Sequence, residues 1–187
     1  MHHLTSEEIH KYAELYTSKE SELLYDLNRQ THLQTELPIM LSGHLQGRFL
    51  SMISKMIRPR CILEIGTFTG YSALCLAEGL ATEGKLLTIE SNQEQAALAQ
   101  EYFDKSPYKN QISLIVGKAS DVLQYLNYEY DLVFIDADKV NYSNYFDLVI
   151  ESMSSGAYIL ADNVLYNAEV LDTDGGSKNA KAMHQYN

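Results

Sequence analysis

Hydrophobic and polar positions divide the chain into a helical first part and an alternating second part. In the first part, apolar residues recur at helical spacing in three stretches, which predicts three amphipathic helices. The segment Thr5-x-x-Glu8 before the first helix has the capping-box pattern, and Thr17-x-x-Glu20 before the second has it too. The third helix ends before Pro59, because proline cannot continue a helix. Its apolar positions are Leu45, Phe49, Met52, Ile53 and Met56.

From residue 61 onward, short apolar runs alternate with helical stretches. The predicted strands are Cys61–Gly66, Lys85–Glu90, Ile112–Val116, Asp131–Asp136 and Ala157–Asp162. The predicted helices between them are Tyr71–Leu80, Gln93–Phe103, Ser120–Leu126 and Tyr142–Met153. Nearly continuous apolar strands separated by helices are typical of a parallel sheet covered on both faces. The pattern therefore predicts a doubly wound, mostly parallel α/β fold whose ligands bind beyond the carboxyl ends of the strands.

The length of 187 residues suits one domain with a sizeable core. We expect a single domain over residues 1–187, with a helical N-terminal cover at 1–58, an α/β core at 61–163, and a loop and helix at 164–187. The fifth strand is expected at a sheet edge, because no further strand follows it in the chain.

The composition narrows the classes of partner and compartment. With 25 acidic and 14 basic side chains the net charge is −11, which argues against a broad surface for duplex nucleic acid or anionic lipid. No apolar run approaches the ~18 residues of a membrane helix, and the first residues lack the regions of a signal peptide. Cys61 and Cys75 form no CxxC pair, fit a reducing compartment and are expected in the core. We therefore expect a cytoplasmic protein that does not enter a membrane.

Two glycines and a carboxylate after the first two strands predict a nucleotide-like ligand. Gly66 and Gly70 flank a strand-to-helix turn, where missing side chains let a ligand approach the backbone. Glu90 ends the next strand about 20 residues later, where a carboxylate can accept both hydroxyls of a ribose. The alternative is a glycine turn needed only for packing and a solvated Glu90. The combination of loop and carboxylate favours the ligand.

The residues of this loop distinguish between possible nucleotides. Phe68 occupies the position of the second glycine in the Gly-x-Gly-x-x-Gly dinucleotide pattern, so a pyrophosphate has no obvious seat. Glu64 adds a carboxylate near the loop, which suits a cationic ligand. S-adenosylmethionine carries a sulfonium, an ammonium and a ribose without any phosphate. It is therefore favoured over NAD.

Polar side chains follow the last two predicted strands. Asp136 ends the fourth strand, and Asp162 and Asn163 end the fifth, so these groups are expected at the same edge of the sheet. Carboxylate and amide oxygens suit a hard cation such as Mg²⁺. The alternative is that these acids only cap strand ends. Lys139 is a candidate base beside this set, whereas Asp138 could form a salt bridge or cap the next helix.

Three separated segments together resemble the catechol and caffeoyl-CoA type O-methyltransferases, most of all their bacterial branch. The segments are LEIGTFTGYS at 63–72, VFIDADK at 133–139 and ADNVL at 161–165. They occur in the family's order, and the resemblance extends from about residue 38 to residue 187. It implies a Rossmann-like methyltransferase fold and an enzyme that depends on S-adenosylmethionine and on a divalent cation.

The resemblance also implies which residues bind the cofactor. The residues at the methionine end of S-adenosylmethionine would be Glu64, Gly66 and Ser72, with the backbone of Ser42 nearby. Glu90 would hold the ribose, and Ala119 would border the adenine. The helices that precede the sheet, including the region of Met40, would cover the pocket and contribute to a homodimer.

The same resemblance implies the catalytic and metal-binding residues. Asp136, Asp162 and Asn163 would bind Mg²⁺ or a similar divalent ion, and Asp136 would also lie near the cofactor. Lys139 would take the proton from the attacking hydroxyl. The acceptor would be a small phenolic molecule with two vicinal hydroxyl groups, as in catechol.

The chain departs from the family pattern in two respects. Tyr166 stands where the family usually has tryptophan, so the wall of the acceptor pocket is expected to differ. The family continues with two more strands that form an antiparallel hairpin, and we expect this C-terminal strand hairpin to be missing here.

Two other functions compete with transfer to a small phenol. Some bacterial relatives methylate a hydroxylated uridine in transfer RNA, for which Lys55, Arg58 and Arg60 would supply a local basic lip. A non-catalytic nucleotide-binding module is the second alternative, and an NAD-dependent enzyme is the least favoured.

Overall fold

The computed structural model describes residues 6–172 and 175–187 of the chain. It contains a five-stranded sheet in the order β3-β2-β1-β4-β5, and every pair of neighbouring strands is parallel. The strands are β1 (Cys61–Ile65), β2 (Lys85–Glu90), β3 (Ile112–Val116), β4 (Tyr130–Ile135) and β5 (Met153–Ala161). The predicted parallel, doubly wound fold is confirmed, and β5 lies at a sheet edge as expected.

Helices precede the sheet and connect its strands. The α-helices are α1 (Glu7–Leu15), α2 (Glu22–Gln34), α3 (Gly43–Ile57), α4 (Tyr71–Ala77), α5 (Gln93–Lys105), α6 (Ala119–Val122), α7 (Tyr142–Ile150) and α8 (Lys178–Tyr186). Short 3₁₀ turns cover Pro38–Met40, Leu123–Tyr125, Lys139–Asn141 and Tyr166–Leu171. Within the described ranges, no helix has the length and apolar character needed to cross a membrane.

The main difference from the predicted elements lies between the last helix of the α/β core and the last strand. The helix α7 ends at Ile150, three residues earlier than predicted, and β5 begins at Met153 rather than at Ala157. Met153 pairs with Tyr130 on β4, after which the register shifts before Tyr158 pairs with Leu132. The polar, glycine-containing insert between these two pairs hides the start of the strand from a search for apolar runs.

The two faces of the sheet bury separate hydrophobic clusters, and the side chains of β1 alternate between them. Ile62 belongs to the cluster under α2–α5, whereas Leu63 and Ile65 belong to the cluster under α6–α8. Both cysteines are buried and unpaired, Cys61 in the second cluster and Cys75 in the first, as expected. Since β1 is covered on both faces, any polar side chain along it must find its partners inside the protein.

The predicted N-terminal caps of the first two helices need correction. The cap of α2 is Ser21, whose hydroxyl accepts a hydrogen bond from the backbone N–H of Leu24 at 3.3 Å. Thr17 instead donates its hydroxyl to the carbonyl of Ala13 at 2.7 Å, which ties it to the end of α1. Ser6 caps α1, and the predicted cap residue Thr5 lies outside the described residues.

Buried polar contacts fix the N-terminal segment over the first hydrophobic cluster. The hydroxyl groups of Thr31 on α2 and Thr69, in the loop after β1, lie 2.8 Å apart. The Tyr102 hydroxyl on α5 donates to the Asp26 carboxylate on α2 at 2.5 Å. These contacts hold α2 beside the loop that follows β1.

Candidate active site

A cleft opens where the order of the strands reverses. The strand β1 pairs with β2 on one side and β4 on the other, so the chain leaves β1 and β4 toward opposite faces of the sheet. The cleft has a volume of about 580 Å³. Its walls come mainly from the loops that follow four strands: Gly66 and Phe68 after β1, residues 90–92 after β2, residues 117–120 after β3, and residues 136–138 after β4. Met40, from the segment between α2 and α3, closes one side.

The predicted cofactor residues fall into three positions relative to this cleft. The residues that line it are Gly66, Glu90, Ala119 and Asp136. Glu64 and Ser72 are buried directly behind the loop after β1. Ser42 lies just before α3, half-buried and outside the lining of the cleft.

The Glu90 carboxylate is held in the cleft wall by two backbone hydrogen bonds. The N–H of Phe68 donates to Oε2 at 2.7 Å, and the N–H of Asn92 donates to Oε1 at 2.8 Å. Phe68 makes this hydrogen bond while its backbone has a positive φ of 49°. Each oxygen keeps further acceptor capacity, so Glu90 can accept two hydroxyl groups of one ligand.

Glu64 is a fully buried carboxylate one residue before the end of β1. The Thr88 hydroxyl donates to its Oε2 at 2.5 Å, whereas Oε1 is buried without a hydrogen-bond partner among the described residues. Burial raises the pKa of Glu64 to about 8, although the hydroxyl groups of Ser72 and Thr88 oppose the rise. A buried carboxylate with one oxygen left over suits a cationic group of a ligand.

Gly66 is required by the backbone of the neighbouring loop. Its φ is +102°, and a Cβ at this position would lie 2.0 Å from the carbonyl oxygen of Asp136. The Asp136 N–H donates to the Ile65 carbonyl at 2.9 Å, which continues the β1–β4 ladder and holds the two loops together. Gly66 thus lets the ends of β1 and β4 approach each other, which allows the cleft to form. This requirement is separate from any contact between Gly66 and a ligand.

We expect Gly66→Ala to lower the free energy of unfolding by about 3 kcal/mol or more, because left-handed strain and overpacking each cost roughly 1–3 kcal/mol. Gly156→Ala is the matched control, since Gly156 has a φ of +84° but nothing within 4 Å of its Cβ position. The control should lose only the strain contribution. Thermal and urea unfolding of both variants measure the difference, and equal losses would contradict the steric explanation.

The predicted catalytic lysine lies against the predicted metal ligands. Lys139 Nζ lies 2.9 Å from Asp136 Oδ1 and donates a second hydrogen bond to the Tyr142 hydroxyl at 2.7 Å. Tyr142 is fully buried, and its own hydroxyl faces the carbonyls of Ile135 and Asp162 at 3.2 and 3.3 Å. The ammonium is therefore held between a carboxylate and a buried phenol, at the carboxyl end of β4.

Asp136 and Asp162 meet at the ends of neighbouring strands. The Asp162 N–H donates to the Ile135 carbonyl at 3.0 Å, which places the two aspartates side by side. Burial raises the pKa of Asp136 to about 6; Lys139 opposes this rise and the Asp162 carboxylate adds to it. The Lys139 ammonium pairs with Asp136, and Asp162 lies beside them without an ammonium partner among the described residues, so the site carries excess negative charge.

Asn163, the third predicted metal ligand, is exposed and contacts Asp162 through its backbone. The backbone N–H of Asn163 donates to Asp162 Oδ1 at 2.7 Å, and Asn163 has a positive φ of 58°. Among the described residues, no group of three or more His, Cys, Asp and Glu side chains is placed to hold a metal ion. A cation site at this position therefore depends on the Asn163 amide as well as on Asp136 and Asp162, and such an all-oxygen set fits a hard divalent ion.

Three residues of the site were not found from the sequence. Gln46 on α3 donates to Asp162 Oδ2 at 3.0 Å across 116 positions of sequence, for which no local signal exists. Tyr142 follows Lys139 by three residues, a spacing that could have identified it as a neighbour on one helix face. Thr88 is a polar residue in an apolar strand, and its position opposite Glu64 is visible only once the register is known.

Asp138 lines the cleft and adopts neither of its two predicted arrangements, a salt bridge or a helix cap. No salt bridge of Asp138 occurs among the described residues. Its carboxylate accepts hydrogen bonds from the hydroxyl of Tyr145 at 2.5 Å and from the side-chain amide of Asn141. It makes no side-chain cap to the following 3₁₀ turn. Asp138 is thus a fixed acceptor in the cleft wall.

Two other expected features lie away from the cleft. The Tyr166 hydroxyl accepts a hydrogen bond from Asn179 on α8 at 3.0 Å, and its ring packs against the second hydrophobic cluster. Arg58 and Arg60 directly precede β1, at the opposite edge of the parallel sheet. Lys55 pairs with Glu78 at 2.7 Å. None of these three basic residues lines the cleft, so the predicted basic lip does not border it.

Comparison with sequence families gives one match over most of the chain. The family model described as O-methyltransferase matches residues 14–187. A catechol O-methyltransferase from Niastella koreensis is 34% identical over 155 residues, which cover 81% of this chain and 70% of that protein. A caffeoyl-CoA O-methyltransferase from Stellaria longipes is 35% identical over 176 residues, which cover 89% of this chain and 72% of that protein.

Solved structures with the same fold carry the cofactor or its product. An O-methyltransferase from Bacillus cereus in complex with SAH has a TM-score of 0.90 and 27% identity, over 96% of this chain and 83% of that one. The O-methyltransferase TomG from Streptomyces achromogenes in complex with SAM has a TM-score of 0.90 and 30% identity, over 96% of this chain and 82% of that one.

Proposed function

The chain belongs to the O-methyltransferase family, and on that premise we propose that it methylates one hydroxyl of a small phenolic acceptor with two vicinal hydroxyl groups. S-adenosylmethionine is the methyl donor of this enzyme. We further propose that a divalent cation such as Mg²⁺ assists the reaction. The observation that carries the proposal is the pairing of Asp136 with Asp162 at the strand ends, with the Lys139 ammonium 2.9 Å from Asp136.

The cofactor fits the cleft through two carboxylates. Glu90 would accept the two ribose hydroxyls, since it lines the cleft and both its oxygens are already oriented by backbone N–H groups. The free Oε1 of Glu64 would accept the ammonium of the methionine portion. Ala119 and Gly117 would border the adenine, because they line the opposite end of the cleft.

The cation would be held by Asp136, Asp162 and Asn163. When bound, it would neutralise the excess negative charge of the two aspartates and lower the pKa of an acceptor hydroxyl from the usual value of about 10 for a phenol. Gln46 supports this arrangement by holding Asp162 from the side of α3.

Lys139 in its neutral amine form would accept the proton of the attacking hydroxyl at Nζ, and a cation held by Asp136 would favour that form by repelling the ammonium. Its side chain is mostly buried, and contacts with Asp136 at 2.9 Å and Tyr142 at 2.7 Å fix the position of Nζ. The acceptor oxygen then attacks the methyl carbon, and the sulfur of the donor leaves with the bonding electron pair. Holding both reactants in line contributes roughly 7–11 kcal/mol to such a step.

Methyl transfer to catechol and to caffeoyl-CoA, with Mg²⁺ and with EDTA, tests the function. We expect transfer only with the cation, and we expect Asp162→Ala to lower it by about 100-fold or more, because one of the two carboxylates is lost. Asp147→Ala, at an exposed position of α7, is the matched control. Transfer that survives both EDTA and Asp162→Ala would contradict the proposed cation site.

Methyl-transfer assays and binding calorimetry together distinguish the competing functions. Methylation of hydroxyuridine-containing tRNA, with no product from either phenol, would replace the acceptor proposed above. If the protein binds S-adenosylmethionine in calorimetry but transfers no methyl group to any acceptor, it is a non-catalytic nucleotide-binding module. The position of Arg58 and Arg60 at the far edge of the sheet weighs against the RNA substrate.

We propose that α1 takes part in a homodimer. It buries no side chain within the described residues, although three apolar side chains project from it and a fourth follows at its C-terminal cap. These are Ile9, Tyr12, Leu15 and Tyr16, each more than half exposed. Such a surface is unusual on a monomer and is suited to a second copy of the chain.

A further inference from the structure

Two buried threonines stand behind the cofactor loop in contact with Glu64. Thr88 lies on β2 directly opposite Glu64 in the strand register, and its hydroxyl donates to Glu64 Oε2 at 2.5 Å. Thr67 belongs to the loop after β1, and its hydroxyl lies 2.5 Å from that of Thr88. Both threonines are almost completely shielded from solvent. A continuous chain of hydroxyl groups therefore runs from the loop to the carboxylate.

The direction of this chain follows from the number of hydrogens. The single hydrogen of Thr88 is used in its bond to Glu64 Oε2, and a carboxylate paired with a bound ammonium is ionised and only accepts. The short contact between the two hydroxyl groups must then use the hydrogen of Thr67. The Thr67 N–H also donates to the Ile89 carbonyl at 3.2 Å, which fixes Thr67 against β2. Thr67 thus orients the Thr88 hydroxyl, and Thr88 orients the Glu64 carboxylate.

This arrangement leaves the two oxygens of Glu64 in different states. Oε2 is held by Thr88, whereas Oε1 is buried and without a hydrogen-bond partner within the described part of the chain. A buried acceptor that lacks a partner is costly to the folded protein unless a ligand supplies one. The ammonium of S-adenosylmethionine has the charge and the hydrogens to do so.

We propose that Thr88 and Thr67 are positioning residues for the cofactor: they hold Glu64 by Oε2 so that Oε1 stays available to the ammonium of S-adenosylmethionine. The inference rests on the proposed binding mode of the cofactor. It assigns the two threonines a function that depends on the ligand, whereas a purely structural function would be limited to satisfying polar atoms inside the fold.

Calorimetric binding of three nucleosides tests this assignment. S-adenosylmethionine and S-adenosylhomocysteine carry the ammonium, and 5′-methylthioadenosine keeps the adenine, ribose and sulfur without it. We expect Thr88→Val to raise the Kd of the first two by roughly 10- to 100-fold, the effect of losing a hydrogen bond to a charged group, and to leave the third unchanged. Thr88→Ser should restore binding, because serine keeps the hydroxyl.

Two further variants complete the experiment. Ser54→Ala removes a buried hydroxyl that donates to the Leu76 carbonyl, away from the cleft, and should change none of the three Kd values. Thr67→Val should weaken the two ammonium-bearing ligands by a smaller factor than Thr88→Val, and it supplies the test if the latter does not fold.

The outcomes separate this inference from the proposed function. Wild-type protein that binds no S-adenosylmethionine would overturn both together. Wild-type binding with an unchanged Kd in Thr88→Val and Thr67→Val would overturn only the positioning of Glu64. An equal loss for all three nucleosides would also overturn it, because that result indicates general damage to the cleft.

Discussion

Replacing Lys139 by methionine is expected to lower the turnover number for methyl transfer by about 10²–10⁴-fold, the usual contribution of a general base. The Nζ atom is held by Asp136 and Tyr142 at 2.9 and 2.7 Å, so the group that would accept the proton has a defined position. Methionine keeps the length and the apolar stem of lysine. The Kd of S-adenosylmethionine should therefore change far less than the turnover number.

Steady-state assays with catechol and calorimetry with the cofactor measure these two quantities. Lys109→Met is the matched control, because Lys109 is exposed in the turn before β3, at the opposite edge of the sheet. An unchanged turnover number in Lys139→Met would remove Lys139 as the base. A parallel loss of cofactor affinity would instead indicate that the lysine supports the structure of the cleft.

Glu64→Gln should have opposite effects on binding and on stability. We expect the Kd of S-adenosylmethionine to rise by roughly 10²–10⁴-fold, because a buried charge pair broken at one side costs about 3–5 kcal/mol. The amide also has a donor where the carboxylate offered its free oxygen. Without ligand, however, the variant should be more stable than the wild type in alkaline solution.

The sign of this stability difference follows from the raised pKa of Glu64. Burial raises its folded-state pKa to about 8, above the ordinary value of 4.5. The folded protein therefore holds this proton more tightly than the unfolded chain, and the resulting stability is present below pH 4.5 and lost as the pH rises through 8. Glutamine carries no titrating proton, so the free energy of unfolding of the Glu64→Gln variant does not contain this pH-dependent loss.

Thermal unfolding of the unliganded proteins at about pH 5 and about pH 9 measures the effect. The midpoint of the wild type should fall more between these two values than that of Glu64→Gln. Glu151→Gln, an exposed substitution at the end of α7, should follow the wild type. Parallel pH curves for wild type and Glu64→Gln would contradict the raised pKa.

The loop after β1 illustrates what a sequence pattern can and cannot predict. Their positions at strand ends predict that Gly66 and Glu90 lie beside a ligand, and both line the cleft. The pattern does not contain the second reason for Gly66, because the close approach of the Asp136 carbonyl arises between β1 and β4. That contact requires the strand order, which skips two strands in sequence.

Helix starts show the same limit at short range. Thr17-x-x-Glu20 matches the capping pattern as well as any segment of the chain, yet Ser21 caps α2. The Thr17 hydroxyl is occupied by the carbonyl of Ala13, and Glu20 accepts a hydrogen bond from Tyr71, 51 positions away. A pattern of four residues cannot represent a competition with partners that distant.

Local patterns were sufficient for the class of fold, the edge position of β5 and the residues at the strand ends. Apolar periodicity and the residue that follows each strand are properties of short segments, and parallel strands bring such residues to one edge whatever their order. The folded arrangement was needed to show that Thr88 supports Glu64, that Gln46 holds Asp162 and that Arg58 and Arg60 lie away from the cleft. These facts depend on strand register and on helix docking, which join residues 24 to 116 positions apart and leave no periodic trace in the chain.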